Sequence, residues 1–183
     1  MLTAGVDEVG RGSLAGPVVA CAVILPLGYE NPNIKDSKKL TAKKREHLNK
    51  LIREKAISVG IGVVSNEVID SIGIVPATKQ AMHEAIAQLN VVPTNIIIDA
   101  VELDNLPCPY IHPFKAEDKY ICVAAASIVA KVYRDSLMAR LAAIYPHYGW
   151  ERNSGYGTKL HYQGITDYGL TPLHRRSFLK GFH

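Results

Sequence analysis

Apolar residues fall along this chain in blocks of two kinds. Residues 2–8 (LTAGVDE), 18–25 (VVACAVIL) and 57–64 (ISVGIGVV) are short, rich in β-branched residues and bounded by turn formers, which predicts three strands. The turn between the first two holds Gly10, Gly12 and Gly16-Pro17, which suits a hairpin with an elaborated loop. Residues 95–99 (NIIID) are apolar on both faces, the pattern of a central strand, and a further short strand is expected around 109–114. Helical spacing begins behind Thr41, an N-cap residue type, with Leu48, Leu51 and Ile52 on one face. Pro76 opens a second helix to about Asn90, whose apolar face is Met82, Ala85, Ile86 and Leu89. A long helix is expected from Asp118 to about Tyr145, and Ala124, Ala125 and Ala126 near its start permit close packing. The tail, 146–183, is rich in Gly, Tyr, His, Lys and Arg, with helical pieces.

Strands first, then alternating helix and strand, then helices: this order predicts an α/β domain with a mixed sheet flanked by helices and a small C-terminal helical part. The expected division is a core over 1–145 and an extension of the same domain over 146–183. The 183 residues suffice to bury a core without disulfide or zinc staples, and 48% hydrophobic against 21% charged residues excludes a disordered chain. The three cysteines, Cys21, Cys108 and Cys122, are odd in number and form no CxxC, so neither a disulfide framework nor a zinc site is expected. No basic segment followed by an apolar one opens the chain and no apolar run reaches membrane-spanning length, so a cytoplasmic protein is expected. A net charge of +4 admits a polyanionic partner without requiring one.

The candidate chemistry is acidic. Asp7 and Glu8 end an apolar strand just before a glycine-rich turn, a place where acidic residues are disfavoured unless they serve a purpose. Asp99 ends the run Ile96, Ile97, Ile98, and Glu117 or Asp118 stands at the expected start of the long helix. Singly, each has an ordinary explanation: a strand-end Asp forms turns, and an acid at a helix start suits the dipole. Together they admit a metal-dependent enzyme and, read from the residues alone, reach no further; two-metal phosphodiester hydrolysis is one chemistry that needs several converging carboxylates, to hold hard divalent cations roughly 4 Å apart. Neighbouring strand residues point to opposite faces, so Asp7 and Glu8 share one site only if the strand ends or bulges there. In Gly10-Arg11-Gly12 the glycines let backbone groups approach a ligand, which is how a protein senses a 2′-OH without side-chain bulk; taken alone, the triplet reads as an ordinary hairpin turn.

The string DEVGRGSLAGPVVACAVIL resembles the N-terminal signature of the ribonuclease HII family. Four further segments agree in order: DSKKLT at 36–41, NIIIDA at 95–100, AAASIVAKVYRD at 124–135, and GYGTKLHY followed by LTPLHRRSF. The resemblance implies a ribonuclease H-like core and Mg²⁺ or Mn²⁺ as cofactor. It implies an endonuclease that hydrolyses the RNA strand of RNA–DNA hybrids. It also implies cutting 5′ of single ribonucleotides in duplex DNA, leaving 5′-phosphate and 3′-OH ends. By the same resemblance Asp7, Glu8 and Asp99 match metal-binding carboxylates, and Gly10, Arg11 and Gly12 match the loop that senses the 2′-OH. Tyr156 matches a tyrosine that stacks on the sugar of the next, deoxy, nucleotide, and Lys38, Thr158 and Lys159 lie in segments suited to holding phosphates. The family pattern Lys-Gly-Asp falls here on Lys115-Ala116-Glu117. Register therefore makes Glu117 the fourth carboxylate, while Asp118 keeps the usual residue type.

The His174-Arg175-Arg176 cluster reads either as a duplex-facing patch or as a solvated helix face, and Trp150 is expected to pack the C-terminal part. None of the seven histidines, including His161 and His183, forms a metal-binding pair of the HExxH kind. Three rival readings have distinct signatures. Ribonuclease HIII would need an extra N-terminal domain, for which a signature starting at Asp7 leaves no room. A non-catalytic hybrid-binding module would bind without turnover, and a general two-metal DNA nuclease would cut all-DNA duplexes. The expectation is a monomer whose partner is an RNA–DNA hybrid or ribonucleotide-containing DNA.

Overall fold

In the computed structural model, which describes residues 1–35 and 37–182, a five-stranded sheet has the order β3-β2-β1-β4-β5. Strands β1 (Thr3–Val9), β2 (Val18–Ile24) and β3 (Ser58–Val64) form an antiparallel meander, and β4 (Asn95–Ile98) and β5 (Tyr110–Ile111) add in parallel beside β1. Asp36 of the DSKKLT segment and His183 lie outside the described residues.

Two helical layers cover the sheet. On one face α3 (Ile74–Ala87) sets Ala77, Ala81, Met82 and Ala85 against Ala20, Ala22 and Val6. On the other, α4 (Ile121–Ile144) packs Ala124, Ala125, Ile128 and Val129 against Cys21 and Val23, with Leu48 and Ile52 of α1 (Ala42–Lys55) beside them. Contact between α4 and β1 is close at Gly5, where an added Cβ would lie 2.2 Å from the Cys122 carbonyl carbon. That approach requires glycine and brings the first turns of α4 down onto the acidic end of β1. The C-terminal part forms a third packing unit. Trp150, Ile165 and Leu179 bury against Leu14, Ala15, Met138 and Ala142, which joins the tail to the hairpin loop and to the end of α4.

The strands follow the apolar runs, and Thr41 caps α1 by accepting from the Lys44 amide at 3.3 Å. Two boundaries differ from expectation. The second helix begins at Ile74, two residues before Pro76, and is preceded by α2 (Asn66–Ile72), which Ser65 caps. Seven residues are too few to show a helical period. The long helix does not start at Asp118: Ala116–Asp118 form a one-turn 3-10 helix, and α4 begins at Ile121. The tail contributes α5 (Trp150–Asn153) and α6 (Lys159–Tyr168). Among the described residues no helix is long and apolar enough to cross a membrane.

Candidate active site

The acidic residues gather where β4 stops and β1 continues. The β1–β4 ladder ends at Val6 and Ile98, with the Asp99 amide donating to the Val6 carbonyl at 3.1 Å. The β1–β2 ladder runs on through Asp7–Cys21, Glu8–Ala20 and Val9–Val19 without a bulge. Asp7 and Glu8 thus start on opposite faces. Cys21 beside Asp7 lies in the core under α4, and Ala20 beside Glu8 lies in the core under α3. They meet because the edge of β1 has no partner there. The Glu8 amide donates to Asp7 Oδ1 at 2.8 Å, so the Asp7 carboxylate turns into the notch beyond β4. Of the two alternatives, a strand end or a bulge, the strand end is the one found, and on one side only.

Electrostatics ties Asp7, Glu8 and Asp99 together. Burial, then the Glu8 charge and more weakly Asp99, push the Asp7 carboxyl well above its usual range, opposed by hydrogen bonds from Ser127 and the Glu8 amide. Burial raises Glu8 as well, against the pull of Arg11 and with the push of Asp99. Arg11 Nη1 lies 3.4 Å from Glu8 Oε1, while Glu8 Oε2 is buried with no hydrogen-bond partner among the described residues. Asp99 Oδ1 accepts from the Ala116 amide at 2.7 Å and so pins the 3-10 turn that carries Glu117. Ala100 and Lys115, which follow Asp99 and precede that turn, hold left-handed backbone (φ 51° and 56°), a strain of order 1 kcal/mol each for non-glycine residues.

Glu117 and Asp118 diverge, as neighbours on a helical turn do. Asp118 is exposed and ion-paired with Lys39, which holds its carboxyl below the usual range with help from Lys115 and Lys38. Glu117 is half-buried, and both line a cleft of about 480 Å³ with Tyr29, Lys35 and Tyr120. Among the described residues no three His, Cys, Asp or Glu side chains stand close enough to form a ready-made cation cage. The donors nevertheless suit a divalent cation. Raised, mutually repelling carboxylates and the bare Glu8 Oε2 leave negative charge that a hard cation offsets, and oxygen-only donors favour Mg²⁺ or Mn²⁺ over soft metals.

Beyond the notch, β1 runs directly into the Gly10–Gly12 loop. Gly10 has φ 91°, and a Cβ there would lie 2.2 Å from Arg134 Nε, so the loop folds tightly onto α4. Gly12 is exposed and an added Cβ would meet open space, so packing among the described residues does not require glycine there. Tyr156 sits half-buried in the loop between α5 and α6, its ring centre 5.8 Å from Lys131 Nζ and 5.7 Å from Arg134 Cζ. Thr158 is the N-cap of α6: its hydroxyl accepts from the His161 amide at 3.3 Å and from Asn153 Nδ2 at 3.0 Å. Lys38 and Lys159 are exposed.

Several residues of this region were not singled out by sequence reasoning. The Ser127 hydroxyl bonds Asp7 and lies 2.9 Å from Ser37 Oγ, linking the DSKKLT segment to the notch. Arg134, buried, donates to the carbonyls of Pro17 (2.8 Å), Ala15 (3.0 Å) and Ser154 (2.7 Å) and to Ser13 Oγ (2.8 Å). The basic cluster is neither a solvated face nor a duplex-facing patch as a whole: His174 and Arg175 are buried and only Arg176 is exposed. Its place seven residues after Ser127, and so on the same face of the long helix, was the available signal for Arg134.

The family model described as Ribonuclease HII matches residues 4–180. Relatives include the ribonuclease HII of Pediococcus pentosaceus, 52% identical over 177 residues that cover 97% of this chain and 69% of that protein. That of Ligilactobacillus salivarius is 53% identical over 175 residues, covering 96% and 68%. Among solved structures, ribonuclease H2 from Pyrococcus horikoshii OT3 aligns with a TM-score of 0.82 at 28% identity, covering 97% of this chain and 93% of that one. The ribonuclease HII of Archaeoglobus fulgidus in its PCNA complex gives 0.81 at 27%, covering 96% and 94%. The fold recurs in Bst ribonuclease HIII at 21% identity, with a TM-score of 0.72 over 97% of this chain and 64% of that one. With the family model spanning nearly the whole chain and more than half of the aligned residues shared with these bacterial members, this chain belongs to the ribonuclease HII family, metal-dependent endoribonucleases that act on RNA–DNA substrates.

Proposed function

We propose that the enzyme hydrolyses the RNA strand of RNA–DNA hybrids and cuts on the 5′ side of single ribonucleotides embedded in duplex DNA, leaving 5′-phosphate and 3′-OH ends. The observation that carries this reading is continuity. The strand that bears Asp7 and Glu8 runs without interruption into a loop whose Gly12 surface is open. A group that senses a 2′-OH must stand within a nucleotide's reach of the phosphate being cut, and peptide groups at Gly10, Arg11 and Gly12 meet that demand. Tyr156 would rest on the sugar that follows, which accounts for acceptance of a ribonucleotide next to DNA.

Asp7, Glu8, Asp99 and Glu117 would hold two divalent cations, Mg²⁺ or Mn²⁺; Asp118, engaged by Lys39, is left out of that set. The chemistry supplied by cations held there would be a lowered pKa for the attacking water and an offset of the charge that develops on the leaving oxygen. The protein's part is positional. Ser127 and the Glu8 amide aim the Asp7 carboxylate, and Arg11 holds one Glu8 oxygen while the other stays bare. Lys38 and Lys159 would hold the nucleic-acid backbone from exposed positions, and Thr158 would fix the start of α6 from which Lys159 projects. The chain would act as a single-domain monomer, its 146–183 part an extension of the 1–145 core. Asp7→Asn should lower cleavage by on the order of a thousandfold, about 4 kcal/mol of transition-state stabilisation, with duplex affinity in an electrophoretic binding assay changed by less than about threefold. Wild-type turnover by the variant would remove Asp7 from the site.

A further inference from the structure

The two loops assigned to substrate reading lie far apart in sequence; they meet directly where the Leu14 amide donates to the Gly155 carbonyl at 2.8 Å, and the segment 171–177 braces both. Its backbone pairs with the hairpin loop: the Arg175 amide donates to the Leu14 carbonyl at 2.8 Å, and the Gly16 amide donates to the Leu173 carbonyl at 2.9 Å. Neighbouring side chains leave this short ladder in opposite directions. Arg175 donates to the carbonyls of Gly10 (2.7 Å), Arg11 (2.9 Å) and Gly16 (3.0 Å), gripping the glycine–arginine loop from beneath.

His174 turns the other way, and the donors around it fix the polarity of its hydrogen bonds. Its Nδ1 accepts from the Thr171 amide at 2.9 Å, so a neutral ring carries its proton on Nε2. From there it donates to His161 Nε2 at 3.0 Å, which also receives Trp150 Nε1–H at 3.1 Å. His161 must then hold its own proton on Nδ1, and that N–H donates to the Tyr156 carbonyl at 3.0 Å. Helix α2 fixes the segment from outside. Asn66 Nδ2 donates to the Pro172 carbonyl at 2.8 Å, and the Asp70 carboxylate accepts the amides of Arg176 (2.9 Å) and Ser177 (3.0 Å).

We propose that the buried His174-Arg175 pair is a positioning element that sets the spacing between the Gly10–Gly12 loop and Tyr156. It thereby determines how well the enzyme discriminates in favour of a ribonucleotide followed by a deoxynucleotide. This rests on the roles given to those two loops above. The ribose 2′-OH and the next sugar stand a fixed distance apart in a duplex, so the two groups that read them must be held to the same distance. Misplacement by about 1 Å costs on the order of a hundredfold in rate. A pair that only stabilised the fold would lower the amount of active enzyme and so affect every substrate alike.

The test compares kcat and KM on two duplexes, one with a single embedded ribonucleotide and one a uniform RNA–DNA hybrid, for the wild type, Arg175→Lys and Tyr156→Ala. Lysine keeps the charge and removes the fork that reaches three carbonyls. The expected result is a fall of at least about tenfold in the kcat ratio, single ribonucleotide over hybrid, for Arg175→Lys as for Tyr156→Ala, with KM moved less than about threefold. A ratio unchanged in Arg175→Lys but lowered in Tyr156→Ala overturns the proposal and leaves the role of Tyr156 standing. A ratio unchanged in both overturns the junction reading and the proposal with it. If Arg175→Lys does not fold, Asp70→Asn, which loosens the segment from α2 without touching either loop, takes its place with an expected fall of about threefold. Nitrogen-15 spectra of the wild type need no variant: at neutral pH they should show His174 protonated on Nε2 and His161 on Nδ1. Reversed tautomers or a charged ring would overturn the relay.

Discussion

Ser127 contributes one hydroxyl between Asp7 and Ser37, and its effect on the site should exceed its effect on the fold. Ser127→Ala leaves the Asp7 carboxylate with the Glu8 amide as its remaining donor, while burial and the neighbouring charges still oppose ionisation. Divalent-cation affinity should fall about tenfold, as is usual when a group that orients a metal-binding carboxylate is removed. The expected stability loss is only about 1 kcal/mol. Calorimetric Mn²⁺ titration and denaturant unfolding separate the two; unchanged affinity with lost stability would reduce Ser127 to a tether for the Ser37–Lys39 turn. At this scale the sequence was partly legible. Asp7, Glu8 and Asp99 stood out because acids are rare at the ends of apolar strands. Arg134 and Arg175 did not, because a guanidinium is tolerated in the interior only when carbonyls converge on it. Those carbonyls come from residues 10–17 and 154, distant from either arginine in sequence.

Strand β1 and helix α4 carry the notch between them, and Gly5 sets their separation. Gly5→Ala would drive a methyl group to within 2.2 Å of the Cys122 backbone, and backbone cannot give way as a flexible side chain does. The cost should be about 2–3 kcal/mol or more. Urea denaturation should show a lower midpoint at unchanged slope, and an unchanged midpoint would mean that α4 does not ride on β1 as described. Elements announced by periodicity or by β-branched runs were readable, including the cap at Thr41. Short elements were not. Helix α2 has seven residues and the Ala116–Asp118 turn three, so neither repeats often enough to reveal a face. That turn decides which acid points inward. Register points to Glu117 for the fourth position while Asp118 keeps the usual residue type, and the proposed set leaves Asp118 out because of its exposed pairing with Lys39.

Across the molecule, the C-terminal part is tied to the hairpin loop rather than merely capping the fold: Arg175 donates to the Gly10 carbonyl, and His174 reaches the Tyr156 carbonyl through His161. Its stability should depend on pH through His174, which faces Trp150, Tyr148, His161 and Thr171. Burial, with the neighbouring His161, pushes this ring down to about 4 from 6.5. As pH falls the unfolded chain takes up the proton first. The contribution of the neutral ring is therefore complete above about pH 6.5 and is lost progressively down to about pH 4. The raised carboxyls of Asp7 and Glu8 act in the opposite sense, since their neutral forms favour the fold as pH falls. Hence the difference between wild type and His174→Gln reads the histidine: the gap between their thermal midpoints should narrow on acidification through that window. A constant gap would mean that His174 does not stay neutral in the fold.

The central claim is that the carboxylate notch and the open glycine loop together select a ribonucleotide. The direct measurement is cleavage of an end-labelled DNA duplex with one embedded ribonucleotide in the presence of Mg²⁺ or Mn²⁺, with the product mapped to the nucleotide beside an all-DNA duplex. The account predicts a single cation-dependent cut on the 5′ side of the ribonucleotide and none in the all-DNA control. Equal cutting of both duplexes, or no cut at the ribonucleotide, would contradict it.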